Sequence, residues 1–286
     1  MAERSDPPGK KSPKVPSRVT PTVVTRPSLY DDVRAALNTL GIALSAEALD
    51  TALSVAEQES LSPLAFLHRL LAEPAAARKQ RALERRIREA HFRELTTLDG
   101  FDWAFNAKGV ERRAVEQLAS CDFVRRRENV VLVGQTGLGK SRILQSVGHA
   151  ACVLGYRVRY ATSAKLLKES TAALADGSFP RLLDAYARWD LLLIDEFGFD
   201  RWERAAQAQA STFYYRLLDA RNSRRSTALA TNIDFKAWAD YLGDPPLATA
   251  FLDRLVDGAV ILKLSGRSYR AARARPVLES DEADRP

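Results

Sequence analysis

Residues 134–141 read GQTGLGKS, and few stretches of eight residues restrict a fold so tightly. An apolar run, NVVLV at 129–133, precedes it, and RILQSVGHAACVLG follows with helical character. Strand, glycine-rich turn and helix in that order make a phosphate-binding loop. The glycines let successive backbone N–H groups curl around an anion, and the helix N-terminus adds partial positive charge. Gly134, Gln135, Thr136, Gly137, Leu138, Gly139, Lys140 and Ser141 are therefore expected to bind nucleotide phosphates. Lys140 is placed to reach the β and γ phosphates, and Ser141 to ligate Mg²⁺.

A second stretch, LLLIDEFG at 191–198, is uninterrupted by polar residues until it ends in two acids. Such a run reads as a strand covered on both faces. An acid at the end of a parallel strand beside a phosphate loop can hold Mg²⁺ directly or through water, which is the role expected of Asp195. Glu196 can polarise an attacking water as general base. The pair favours hydrolysis, because a small-molecule kinase takes its nucleophile from its substrate. A further apolar run ends in ATN, with Asn232 after Thr231. At the tip of a flanking strand, the Asn232 amide can orient the water or contact the γ phosphate, although Asn is also a common turn residue.

Around these motifs, apolar strands at 129–133, 157–160, 191–194, 227–230 and 259–264 alternate with helices, which implies a five-stranded parallel α/β sheet. The 286-residue chain is long enough for this and a second small domain. Residues 28–94 carry only helical patterns. Ser28 with Asp31 resembles a capping box, and Val33, Leu37 and Leu40 follow at helical spacing. Ser45 starts a helix with Leu49, Leu53 and Ala56 on one face. Ser62-Pro63 starts a third with Leu64, Leu67 and Leu71, which Pro74 is expected to break. The expected division is a basic disordered tail at 1–27, a helical domain at 28–94, the α/β core at 95–272 and a disordered tail at 273–286.

The net charge of +7 favours anionic partners, and its distribution is uneven. Residues 1–27 hold six Lys/Arg against two acids, residues 28–77 two against seven, and residues 78–93 seven against two. The last of these, RKQRALERRIREAHF, sets a narrow stripe of Leu83, Ile87 and Ala90 on an otherwise basic surface. Two readings stand side by side: a solvated helix face, or a helix lying along a phosphate backbone. The N-terminal stretch lacks the apolar region of a signal peptide, and no run approaches the roughly 18 apolar residues of a membrane span. Cys121 and Cys152 lack metal spacing, and the expected compartment is a reducing cytoplasm.

The ordered set GQTGLGKS, LLLIDEFG, ATNIDF, GDPPLATAFLDRL and GRSYR resembles an AAA+ ATPase of the DnaA/DnaC initiator–loader clade. More narrowly it resembles IstB, the ATPase helper encoded beside the transposase of certain insertion sequences. With the helical start, the resemblance covers roughly residues 28–272. It implies an AAA+ core without a C-terminal lid, ATP and Mg²⁺ as cofactors, and hydrolysis of ATP to ADP and phosphate. It further implies ATP-dependent self-assembly into a homo-oligomer, duplex DNA bound with little sequence preference, and a transposase as partner. Arg254 in LDRL falls where such ATPases carry an arginine finger that acts across a subunit interface; read locally, it is a helix-surface cation paired with a nearby acid. Residues 163–187 fall where the clade inserts helices along a DNA path, and Lys165, Lys168 and Arg181 there fit either that path or a solvated surface. Phe101, Trp103 and Phe105 precede the core where adenine is often cradled, or form a core cluster. Arg270 in GRSYR is either a phosphate contact or structural. The competing expectations are a DnaC-like helicase loader, a nucleotide-switched DNA scaffold without turnover, and, least, a small-molecule kinase.

Overall fold

The computed structural model describes residues 28–200 and 209–273. The expected tail at 1–27, and that at 273–286 apart from Arg273, lie outside the described residues. The chain divides into two compact units between Ala77 and Arg78.

The first unit contains α1 (Leu29–Thr39), α2 (Ala46–Gln58) and the start of α3 (Pro63–Ala90). The capping box expected at Ser28 is present: its side chain accepts from the Asp31 N–H, and the Asp31 carboxylate accepts from the Ser28 N–H. A small core joins Leu49, Ala52 and Leu70 to Tyr30, Leu44 and Phe66. Leu40, Leu64 and Leu67 of the expected apolar stripes are instead exposed.

Pro74 does not break the third helix, which runs on to Ala90. A mid-helix proline costs about 3 kcal/mol through its lost N–H and its clash with the preceding turn. Here it sits among Leu, Ala, Glu, Arg and Lys, all strong helix formers. The boundary expected after residue 94 also moves. Leu83, Ile87 and Ala90 pack into the core of the sheet, so the basic half of α3 belongs to the larger unit.

That unit holds β1 (Val130–Val133), β2 (Val158–Thr162), β3 (Leu191–Phe197), β4 (Ser226–Thr231) and β5 (Val260–Lys263). All pair in parallel in the order β2-β3-β4-β1-β5. Side chains alternate between faces. Leu191 and Leu193 enter a core with α4 (Arg112–Ala119), α5 (Asp122–Arg126) and α6 (Lys140–Val153). Leu192 and Ile194 enter the opposite core. There they meet α7 (Ser163–Ala175), α8 (Phe179–Ala187), α9 (Ala210–Arg221), α10 (Trp238–Leu242) and α11 (Pro245–Val256). After β5 the described chain forms one short helix, α12 (Tyr269–Ala272). At the N-terminal ends of β3 and β4, buried Arg221 donates to the Tyr186, Trp189 and Ser226 carbonyls. The opposite, C-terminal ends of the strands are where an open α/β sheet binds ligands.

Candidate nucleotide-binding site

A cavity of about 530 Å³ opens at the C-terminal ends of β1, β3 and β4. Residues 136–141 form its floor, with Asp195, Glu196 and Asn232 along one wall. Gly139 has φ 88°, which a residue without Cβ adopts freely, and α6 starts directly after it. A Cβ there would also lie 2.9 Å from the Phe101 ring. Lys140 Nζ donates to the carbonyls of Gly134 at 2.6 Å and Gln135 at 2.7 Å. Gly134 and Gln135 thus stand outside the cavity lining and hold the lysine through their backbone oxygens. Burial lowers the Lys140 pKa; Asp195 opposes that shift and Arg270 adds to it.

The two acids part ways because β3 bulges between them. Ile194 pairs with Leu229 but Phe197 pairs with Thr231, so β3 holds one extra residue. Glu196 absorbs it with φ 57°. A left-handed non-glycine residue costs about 1 kcal/mol, and such bulges often re-aim a side chain next to a site. Asp195 is 2% exposed. Its Oδ1 accepts from Ser141 Oγ at 3.0 Å and from the Glu196 N–H at 2.8 Å, and its Oδ2 accepts from the Tyr160 hydroxyl at 3.0 Å. Glu196 projects into the cavity, where Arg93 Nη1 donates to its Oε1 at 2.8 Å.

Asn232 reaches the same wall. Thr231 Oγ1 donates to the Phe197 carbonyl and accepts from the Ile233 N–H, which fixes the turn that carries the amide. Gly198, at φ 106°, lets this turn close over β3, since a Cβ there would fall 2.7 Å from Asn232 Oδ1.

Ser141 Oγ and the Asp195 carboxylate are hard oxygen donors 3.0 Å apart, and they suit Mg²⁺. Among the described residues no three His, Cys, Asp or Glu side chains gather into a protein-only metal site.

Opposite the acids, Phe101 and Phe105 line the cavity. Trp103 does not. Its ring lies 4.5 Å from that of Phe101 at a tilt of 44°, and both pack on the core, as the core-cluster reading expects. Asn106 locks the segment to the last turn: its Nδ2 donates to the Arg267 carbonyl and its Oδ1 accepts from the Arg267 N–H. The Tyr269 N–H then donates to the Gly137 carbonyl at 2.9 Å. GRSYR is thereby folded onto the phosphate loop, and Arg270 lines the cavity.

Arg254 lies elsewhere. On α11 it pairs with Asp219 and Asp253, both at 3.3 Å, and its side chain is 38% exposed. The Asp219 hydrogen bond raises its pKa. Within residues 163–187 lie α7 and α8, joined by a short turn at 176–178. Lys165 there pairs with Glu169, while Lys168 and Arg181 are exposed.

The IstB-like ATP binding protein family matches residues 35–276. The chain belongs to that family. Its relatives include the protein described as the ATP-binding protein of insertion sequence IS21 in Pseudomonas aeruginosa. The two are 32% identical over 227 residues, which cover 79% of this chain and 84% of the relative. An insertion-sequence ATP-binding protein of Sinorhizobium fredii is 31% identical over 239 residues, 84% of this chain and 96% of its own. Among solved structures, AMPPCP-bound DnaA from Aquifex aeolicus aligns over 63% of this chain and 53% of its own, with 17% identity and a TM-score of 0.49. The DnaC helicase loader aligns over 59% of this chain and 97% of its own, with 18% identity and a TM-score of 0.42. Among the described residues no helix is long and apolar enough to cross a membrane.

Two cavity residues, Arg93 and Gln145, and Tyr160, which donates to Asp195 from behind, escaped the motifs. Arg93 was only one of many cations in a basic run. Gln145 and Tyr160 sit in apolar-looking elements, where a single polar residue carries no local signal.

Proposed function

We propose that this chain is an ATPase that hydrolyses ATP to ADP and phosphate, assembles with copies of itself on duplex DNA, and serves a transposase. The observation that carries the reading is the convergence of the loop, Asp195, Glu196 and Asn232 on one cavity. Lys140 holds the β and γ phosphates, and Arg270 adds a second cation facing them. Ser141 and Asp195 would hold Mg²⁺, which would supply neutralisation of the phosphate charge. Glu196 takes a proton from water as the water oxygen bonds to the γ phosphorus. The bond from that phosphorus to the ADP oxygen breaks, and ADP and phosphate leave. Asn232 orients the water. Arg254 lies outside the cavity of its own chain, which supports a role on a neighbouring copy's nucleotide.

Support for DNA as partner comes from α3. Arg78, Arg81, Arg85 and Arg88 recur at helical spacing on the face opposite Leu83, Ile87 and Ala90, and all four are exposed. Among the described residues none of them has a carboxylate partner. Four such charges over about 15 Å of helix suit a phosphate backbone, which is read by charge and carries no sequence information. The insertion-sequence relatives support a transposase as the protein partner.

Steady-state phosphate release, with and without duplex DNA, tests the enzyme reading. Glu196→Gln should retain ATP binding and lose about a hundredfold or more of turnover, the usual worth of a general base. Normal turnover in that variant would refute the assignment.

A further inference from the structure

An arginine stands just before each of four strands: Arg127 before β1, Arg157 before β2, Arg188 before β3, and Arg224 and Arg225 before β4. These strands are parallel neighbours, so all five arginines share the end of the sheet opposite the nucleotide cavity. Strand spacing sets them in a row about 14 Å long. A cavity of about 450 Å³ opens there, lined by Arg127, Arg188, Arg224 and Arg225. Asp184 is the only carboxylate among the described residues of that lining. All five arginines are exposed. Arg157 at 3.3 Å and Arg225 at 2.9 Å share the single carboxylate of Asp190. Among the described residues no carboxylate pairs with Arg127, Arg188 or Arg224. Arg127 Nη1 donates to the Ser223 carbonyl at 3.4 Å, and Arg188 lies over the Trp189 ring.

Helix ends do not account for this charge. The C-terminus of α8 points here, where a cation is favourable. Arg221, 1% exposed, already takes its Tyr186 and Ala187 carbonyls, at 2.7 and 3.3 Å. Among the described residues Arg221 also pairs with no carboxylate. Burial pushes its pKa down to about 9; the Arg225 charge adds to that shift and Asp190 opposes it. It remains protonated at neutral pH, a fixed cation whose neighbour Ala220 lines the cavity. We propose that this cavity is a second anion site, built for phosphoryl groups and separate from the ATP site. Guanidinium forks match phosphate oxygens in pairs, and one polyvalent phosphate ligand balances several arginines at once. A peptide would need a separate carboxylate side chain for each. The ligand is a run of phosphoryl groups, supplied by a nucleic-acid backbone or by free polyphosphate. No residue of this cavity takes part in the hydrolysis proposed above, so the inference stands apart from the ATPase reading.

Pyrophosphate and a mixed-sequence duplex, titrated separately into the full chain, test the site and distinguish its two sources. Lys140→Ala is the background, so that the phosphate loop adds little to either titration. The test variant carries Arg188→Ala and Arg224→Ala as well. Loss of pyrophosphate affinity alone, by about tenfold or more for each charged hydrogen bond removed, assigns the site to free polyphosphate. A slope of log affinity against log salt that falls by about two for the duplex assigns it to a nucleic-acid backbone, since each phosphate contact contributes about 0.9. If neither probe changes, the site does not exist. If a poly-glutamate peptide loses as much affinity as either probe, the surface takes acidic protein and the phosphoryl assignment is overturned. With Lys140 intact, Arg188→Ala and Arg224→Ala together should keep the wild-type Tm and the wild-type rate of phosphate release without DNA. A lower Tm or a slower release would make these arginines structural and would overturn the site as well. The titrations involve no ATP, so an inactive ATPase would leave their outcome unaffected.

Discussion

Tyr160→Phe removes one oxygen atom and leaves the ring that packs in the core. The Tyr160 hydroxyl donates to Asp195 Oδ2 at 3.0 Å, and both residues are buried. Among the described residues no other donor reaches that oxygen; Ser141 and the Glu196 N–H both serve Oδ1. A hydrogen bond to a charged group is worth about 1.5–3 kcal/mol, and deleting the donor leaves the acceptor with its desolvation cost. For a unit of this size, a loss near 2 kcal/mol lowers Tm by about 4–8 °C. The same change frees the carboxylate to rotate away from Ser141. Loss of such an orienting partner typically weakens metal binding about tenfold or more. Thermal unfolding without nucleotide should show the first effect. The Mg²⁺ concentration for half-maximal phosphate release should show the second, while Arg93→Ala should leave that concentration unchanged. A Tm within about 1 °C of wild type and an unchanged Mg²⁺ requirement would mean that Tyr160 neither stabilises nor orients Asp195.

Two further outcomes follow from buried thiols and from the displaced arginine. Cys121 and Cys152 are buried, and burial pushes both thiols from an ordinary 9.0 up to about 12. They should resist thiol reagents in the native protein and react in urea. The folded state favours the protonated thiol, so their contribution to stability is complete below pH 9 and is lost as pH rises from 9 towards 12. The slope is about 1.4 kcal/mol per pH unit for each thiol. Urea unfolding at pH 8 and pH 10 reads this, and equal midpoints would contradict it. Arg254→Ala should slow turnover about a thousandfold if it acts as an arginine finger, and mixing it with inactive Lys140→Ala should restore part of the activity. Such mixing pairs an intact Arg254 with an intact phosphate loop on another copy. No recovery would place Arg254 outside any shared site.

Much of this protein is local information. A strand that must be covered on both faces reads as LLLI wherever it occurs, and a phosphate loop needs its glycines and lysine at fixed spacing. The five strands, the loop, Asp195, Glu196 and the cap at Ser28 could thus be read from the chain itself. So could the basic stripe of α3, because helical periodicity is a property of one segment. Pro74 was misread for the converse reason. Its effect depends on the helix-forming strength of residues on both sides, and those outweigh it.

What the sequence could not determine depends on which segments meet. The order β2-β3-β4-β1-β5 places Tyr160 of β2 against Asp195 of β3, and Asn232 at the end of β4 beside Glu196. The bulge that turns Glu196 towards the cavity exists only because β3 and β4 pair out of step after Ile194. Arg270 faces Lys140 because Asn106 and Gly137 hold the last turn in place. Arg93 meets Glu196 because Leu83, Ile87 and Phe92 dock the basic helix on the sheet. Spacing along the chain says what a residue can do; packing of distant apolar faces decided what each of these has to do it with.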